Sequence, residues 1–426
     1  MSVMQGPTRL TASQRRKIVD RTIQKVKTEY FDPLFNGTKW PSIAEALRDE
    51  VVAAADPDQF ELAMHNMVRK LGTSHTGFFH TSVKRVPARL ALGVTFSRLE
   101  VADGRFWAVR DIHRGGPGEK AGLRPGDRLV AIAERSVGAD EQPMFPMGTE
   151  VRARVLRGSE DLSLSFRIPA PRIREQPYAE PQAVESRELS DEIGYLKISI
   201  FPGLLGLDVA RQIDRAVAGL DACSGLVLDL RGHLGGGLGV LRMMSHLTPG
   251  KIPIGYTVTR RRRERGYDKS QLRQLDCLPT HLPNPLAILS MGLRFAGRDP
   301  SVLLFSEGLG PKRWHGRVAV LVNEHTASAG EMIAAFVKEN TLGQIVGTET
   351  AGRLIPGSGF KVGRGYMLIM PTAEYVTWHD QRFEGHGVSP DVDIAWTPRS
   401  VEDDPQLRAA IRVCRMQEKR SYAASH

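Results

Sequence analysis

Two short apolar runs, residues 225–230 (GLVLDL) and 318–322 (VAVLV), each break off into a turn of small residues. The first leads into Arg231-Gly232-His233-Leu234-Gly235-Gly236-Gly237. The second leads into Thr326-Ala327-Ser328-Ala329-Gly330-Glu331 and a helical pattern near 328–340. Apolar runs of this length bounded by turn residues read as buried strands. Residues 193–200 form another strand, followed by a helix burying Val209, Ile213, Ala216, Val217 and Leu220 at helical spacing, and 365–370 a later strand. Strands alternating with helices specify an α/β sheet with crossover connections.

The rest of the chain has a different texture. Residues 1–80 read as helical. Thr11 and Gln14 form a capping box ahead of Ile18, Val19, Ile23, Val26 and Tyr30, and Ser42 with Glu45 repeats the box. Asp56-Pro57 opens a third helix lined by Phe60, Met64, Met67, Val68 and Leu71, with proline at a first position that needs no donor. Residues 81–170 hold five short β runs (91–96, 105–112, 126–133, 151–156 and 162–168) and a short helix around 119–121, which make a small β-module. The α/β core is expected over 171–400, with 250–316 a basic, Pro-rich and irregular excursion, and 401–426 a C-terminal helix or tail. The expected class is a multidomain α+β chain with an α/β core.

Composition limits the function. With 426 residues, 41% hydrophobic and 25% charged, the chain is globular, not disordered or coiled-coil. No window holds the roughly 20 apolar residues of a membrane-spanning helix. The start is polar and has no apolar segment of a secretory signal. Cys223, Cys277 and Cys414 are odd in number and widely spaced, which predicts reduced thiols and a cytoplasmic protein. The net charge of +10 raises nucleic acid as a partner, but the densest run, Arg260 to Arg265, has no interleaved aromatic residues. It reads as a solvated loop or domain-face patch, and no nucleic-acid partner is expected. Without HExxH or zinc-type cysteine spacing, no metal and no cofactor are expected.

Four segments could carry chemistry. The turn at 231–237 lacks the Lys-Ser/Thr of a P-loop, and a GxGxxG frame from Gly235 meets Val240, so an oxyanion-binding turn is the better reading. Ser328 sits at the positive end of a helix with the Ala329 N–H beside it; Ser328-x-x-Glu331 is equally a capping box. Ser74-His75 lies in LGTSHTG (71–77), where a lone histidine is by default structural. Glu384 lies in FEGHGVSPD (383–391), where a carboxylate is by default solvated.

Residues 115–132 (GGPGEKAGLRPGDRLVAI) resemble the central stretch of a PDZ domain, and Leu92-Gly93-Val94-Thr95-Phe96 resembles its carboxylate-binding loop. LDLRGHLGG (228–236), TASAGE (326–331) and GHGVSPDV (385–392) stand in the order of the "LDLRGNxGG"-, "TASAxE"- and "GxGVxPDV"-like segments of the C-terminal processing peptidase and tricorn-protease family of serine peptidases. That resemblance implies a ClpP/crotonase-like core with an inserted PDZ-like domain. The processing-peptidase branch takes its base from a lysine downstream of the serine, and the corresponding place here holds Arg353, which cannot act as a base. The tricorn-like branch uses a tetrad, and Ser74, His75, Ser328 and Glu384 match it.

The resemblance then implies that Ser328 attacks, His75 serves as base, Ser74 and Glu384 orient the imidazole, and Gly235 and Ala329 form the oxyanion hole. Ser74-His75 must lie on a bend, which Gly72 and Gly77 permit. The implied partners are polypeptides with free C-termini; homo-oligomer formation is compatible with it. Two other readings share the fold: a peptide-binding scaffold without catalysis and an apolar-ligand binder.

Overall fold

The computed structural model describes residues 9–82, 85–101, 104–169, 181–189, 192–203, 206–276, 299–397 and 404–416. Cys277 lies outside them.

The centre is a six-stranded sheet in the order Val184–Leu189, Ile193–Ile198, Gly225–Asp229, Arg317–Val322, Gln344–Gly347, Val392–Asp393. Only the first pair is antiparallel; the others run parallel. Parallel strands are covered on both faces, and the side-chain period of two shows how. Leu226, Leu228, Val318 and Val320 face one core with the helices Leu207–Ala218, Val240–Leu247 and Ala329–Glu339. Val227, Ala319 and Leu321 face the opposite side, where Ala409, Ala410, Val413 and Cys414 of the helix Pro405–Met416 cover them.

The N-terminal helices Ala12–Glu29, Trp40–Val52 and Pro57–Arg69 do not close on themselves. Val19, Tyr30, Trp40, Phe60 and Met64 share one apolar cluster with Phe78, Tyr366, Leu368 and Met370. The latter belong to a three-stranded sheet, Gly77–His80, Tyr366–Pro371 and Gly357–Gly363. Residues 77–80 are therefore strand where helix was expected, since Phe78 gains more from pairing beside Leu368 than from extending a helix. The Thr11–Gln14 box is present, and Asp56 caps its helix by accepting from Gln59 N at 2.8 Å. The second box is not: that helix starts at Trp40 with Lys39 as N-cap, and Pro41 near its start puts Ser42 inside the first turn.

Residues 250–316 are not irregular where described. Pro253–Thr259, Arg273–Leu275 and Val302–Phe305 form a sheet with Ala373–Thr377. Arg260–Arg265 is a helix that fastens the N-terminal region to this sheet. Arg263 pairs with Glu374 and lies 3.7 Å from Asp32, and the Arg260 guanidinium covers the Phe35 ring at 5.8 Å. Arg262 lies 3.5 Å from Asp299, so three of the five arginines of the run are engaged, while Arg261 and Arg265 are exposed.

The β-module follows its expected runs closely, with strands Val94–Val101, Gly104–Ile112, Arg128–Ile132, Glu150–Arg157 and Glu160–Arg167 in that spatial order. The first starts late: Ala88–Ala91 is a helical turn, and Gly93 at φ +66° redirects the chain into the strand.

Candidate active site

Gly225–Asp229 and Arg317–Val322 are paired neighbours with Asp229 opposite Leu321, so the loops leaving their carboxyl ends must meet. Side chains stitch the two loops together. Thr326 Oγ1 donates to Leu230 O at 2.8 Å, the Gly232 N–H donates to Asn323 Oδ1 at 3.0 Å, and the Ala327 N–H donates to His233 O at 3.2 Å. A Cβ placed on Gly235 would lie 3.3 Å from Ser328 Oγ, and at φ +88° glycine is the residue that fits. Ser328 itself takes φ 54°, ψ −115°, a conformation that non-glycine residues adopt only where surrounding structure enforces it. Half-buried, it precedes the helix Ala329–Glu339. Ala329 is the first helical residue, where a backbone N–H has no intrahelical acceptor.

The enforcing group is Glu331. Its buried carboxylate accepts from Ser328 N at 3.0 Å, Gly352 N at 2.7 Å, Arg353 N at 2.8 Å and Thr350 Oγ1 at 2.7 Å. The Ser328–Glu331 capping box is therefore real, and it coexists with a strained serine instead of replacing it. Burial raises the Glu331 pKa, against the lowering pull of these hydrogen bonds. In return, Arg353 O accepts the Ser328 N–H at 3.1 Å. Position 353 thus serves through its backbone, and its exposed guanidinium contributes charge.

The third part arrives from the N-terminal region. Ser74 and His75 form a bend ahead of the strand Gly77–His80, and His75 supplies the turn itself with φ 52°, alongside Gly72 at +72°. Gly77 is in the strand and contributes no positive φ. Glu384 meets them across 310 positions of sequence: Ser74 Oγ donates to Oε2 at 3.0 Å and Ser74 N to Oε1 at 2.6 Å. The Ser74 hydroxyl proton is committed to the carboxylate, so its oxygen accepts from His75 Nδ1 at 2.9 Å. That places the imidazole proton on Nδ1 and leaves Nε2 with a lone pair. Glu384 also receives the N–H groups of Leu354 at 3.0 Å and Ile355 at 3.2 Å, so residues 352–355 are gripped by Glu331 at one end and by Glu384 at the other.

His75 titrates below the ordinary 6.5. Desolvation by the walls around it is the first cause; Glu384 pulls upward, and the positive charges of Arg89 and Arg353 push further down. Among the described residues no hydrogen bond joins His75 to Ser328. The Gly235 N–H is directed to His233 Nδ1 at 2.9 Å.

The carboxylate-loop residues Leu92, Gly93, Val94, Thr95 and Phe96 are all buried. Their strand lies at the sheet edge, paired on one side with Gly104–Ile112. Thr95 Oγ1 donates to Asp111 Oδ2 at 2.6 Å, and Asp111 Oδ1 accepts from Asn323 Nδ2 at 2.9 Å. Ser97 Oγ donates to Glu324 Oε1 at 2.6 Å, and His113 Nε2 donates to Gly232 O at 2.9 Å. The β-module therefore bonds directly to both loops. Asp111, His113, Asn323 and the hub role of Glu331 had no signal in the sequence, because each becomes visible only when distant loops meet.

The family model for peptidase family S41 matches residues 192–394, which contain the glycine turn, Ser328, Glu331 and Glu384. Residues 192–394 thus carry a likeness to peptidase family S41. A PDZ-domain model matches residues 109–167. The chain is 23% identical over 409 residues to the carboxyl-terminal-processing protease of Synechocystis, covering 90% of this chain and 82% of that one. It is 24% identical over 423 residues to tricorn protease homolog 1 of Streptomyces coelicolor, covering 94% of this chain but spanning about a third of the relative, 35%. Among solved structures, the photosystem II D1 C-terminal processing protease superposes with a TM-score of 0.57 at 19% identity, over 94% of this chain and 97% of that one. Mature CPAF does so with a TM-score of 0.59 at 12% identity, over 97% and 99%. These likenesses establish the shared fold. No helix among the described residues is long and apolar enough to cross a membrane.

Proposed function

We propose that this chain is a serine peptidase acting through a Ser–His–Ser–Glu tetrad. Ser328 Oγ attacks the scissile carbonyl while its proton passes to His75 Nε2. The resulting oxyanion is received by the N–H groups of Ala329 and Gly235. Collapse of the intermediate expels the amine, which takes the proton from His75, and water repeats the sequence on the acyl-enzyme. The observation that carries this reading is the hydrogen-bonded chain Glu384–Ser74–His75, which fixes the tautomer a general base needs. Arginine at 353 speaks against a serine–lysine dyad.

The substrates proposed are unfolded polypeptides with exposed C-termini. The support is an edge strand beginning at Val94 that can accept an added strand, in a module bonded to both catalytic loops. The functional division is residues 1–80 for the base, 81–170 for peptide capture and 171–400 for the nucleophile, with 401–426 a C-terminal helix or tail whose described helix is Pro405–Met416. A cytoplasmic location belongs to the same proposal, supported by Cys223 and Cys414, which are buried free thiols.

Hydrolysis of unfolded casein and of a quenched peptide with a free C-terminus tests this. Ser328→Ala and His75→Ala should abolish turnover, and Arg353→Ala should retain it. A second reading, a peptide-binding scaffold, draws on the unmade His75–Ser328 bond; it requires saturable peptide binding, no hydrolysis, and indifference to Ser328→Ala.

A further inference from the structure

The buried ring of His233 has a place in this site that the tetrad does not use. It lies under the nucleophile's helix, so close that a Cβ on Gly330 would meet its Cγ and Nδ1 at 3.0 Å, and its other side rests 5.1 Å from the Phe201 ring. Its Nδ1 accepts the Gly235 N–H at 2.9 Å. A nitrogen that accepts from an N–H cannot itself be protonated, so the ring is neutral and its proton sits on Nε2. Burial pushes its pKa down to about 3, against an upward pull from the Ala327 backbone, so the ring stays neutral throughout the working range of an enzyme. Nε2 finds no hydrogen-bond partner of good geometry among the described residues, which leaves the Gly235 bond as the ring's main polar anchor.

We propose that His233 is a positioning residue that holds the Gly235 N–H away from the oxyanion position until a tetrahedral oxyanion draws it off. The inference rests on the peptidase reading. An oxyanion at Ser328 would compete with a neutral imidazole for one donor, and a charged acceptor wins that competition where a neutral substrate carbonyl gains less. The bond therefore withholds the donor from the bound substrate and subtracts its own breaking from the stabilisation of the oxyanion, so it restrains turnover and is overcome only by the charged adduct. Gly235 can turn because its own carbonyl remains fixed, accepting from Phe201 N at 2.9 Å, while its φ of +88° is free of side-chain constraint.

The test is the affinity of a peptide aldehyde, compared with the matching peptide alcohol, for wild type and His233 variants of the full chain. The Ser328 oxygen adds to the aldehyde carbon, the C=O π pair moves onto oxygen as an oxyanion, and the serine proton passes to His75; the alcohol cannot form this adduct. His233→Phe keeps the ring and removes the acceptor, so aldehyde affinity should rise about tenfold with alcohol affinity unchanged, the equivalent of one hydrogen bond no longer broken. His233→Asn, whose Oδ1 can accept from the N–H two residues on, should return the affinity to the wild-type range. His233→Leu serves if the phenylalanine variant does not fold. Folded Phe and Leu variants with unchanged or weaker aldehyde affinity would overturn the inference. A wild type that forms no Ser328-dependent adduct would instead remove the peptidase reading, and the inference with it.

Discussion

The Ser74 hydroxyl donates to Glu384 Oε2 at 3.0 Å, joining a residue of the N-terminal bend to one that lies 310 positions later. This single bond decides which nitrogen of His75 is basic. Without it Ser74 could donate to Nδ1, the imidazole proton would move to Nε2, and the ring would present a donor where a base is needed. Glu384→Gln should therefore lower kcat by about 10²–10⁴-fold, the range of a general-base contribution, with KM little changed. Steady-state kinetics on a quenched peptide would check it, and a variant within threefold of wild type would contradict the role.

The pH dependence follows from the environment of His75. Its pKa lies below 6.5, so the acid limb of kcat/KM should have its midpoint below that value and the rate should be flat by neutral pH. Arg353 contributes a positive charge that disfavours the imidazolium. Arg353→Ala should move the midpoint upward while leaving the plateau rate largely intact, and a downward move would be inconsistent with the electrostatics.

Glu331 is predicted to matter to both stability and rate. Replacing it by alanine leaves the donors of Gly352, Arg353 and Thr350 without their acceptor and Ser328 N with only Arg353 O, at 3.1 Å. The cost of buried donors left unpaired is about 1–3 kcal/mol each before relaxation. Thermal melting should show a clear loss, and loss of activity should exceed what the unfolded fraction explains, because the Ser328 backbone is freed to relax.

Asp229 anchors the glycine turn from below. It is buried, receives Arg231 at 2.7 Å and Tyr195 OH at 2.8 Å, and Arg231 reaches on to Asp404 at 2.8 Å. Burial alone would raise its pKa, but Arg231 outweighs that and holds it well below the ordinary value. Asp229→Ala should cost about 3–5 kcal/mol, as expected when one member of a buried pair is removed. Urea denaturation would measure it.

Much of this arrangement was legible in the sequence because periodicity and turn chemistry are local. The run 225–230 ends as a strand at Asp229, Thr11 and Asp56 cap their helices, and Pro117–Lys120 is the short helix expected around 119–121. The errors are also physical. Residues 250–316 read as irregular because proline and arginine obscure the short strands, whose partner Ala373–Thr377 lies far along the chain. Ser42 looked like a cap because its spacing to Glu45 fits, but Pro41 lets the helix begin earlier. Ser74, His75, Ser328 and Glu384 could be named from motifs. What each one bonds to could not, since Glu331 as a hub, Asn323 against Asp111 and His233 against Gly235 are made by loop contacts without a sequence period.

The most direct test of the central claim is covalent labelling of the full chain by a fluorophosphonate, read by peptide mass spectrometry. One phosphonylated residue is expected, Ser328, with labelling abolished in Ser328→Ala and strongly slowed in His75→Ala. Labelling at another serine, or equal labelling rates in wild type and His75→Ala, would contradict it.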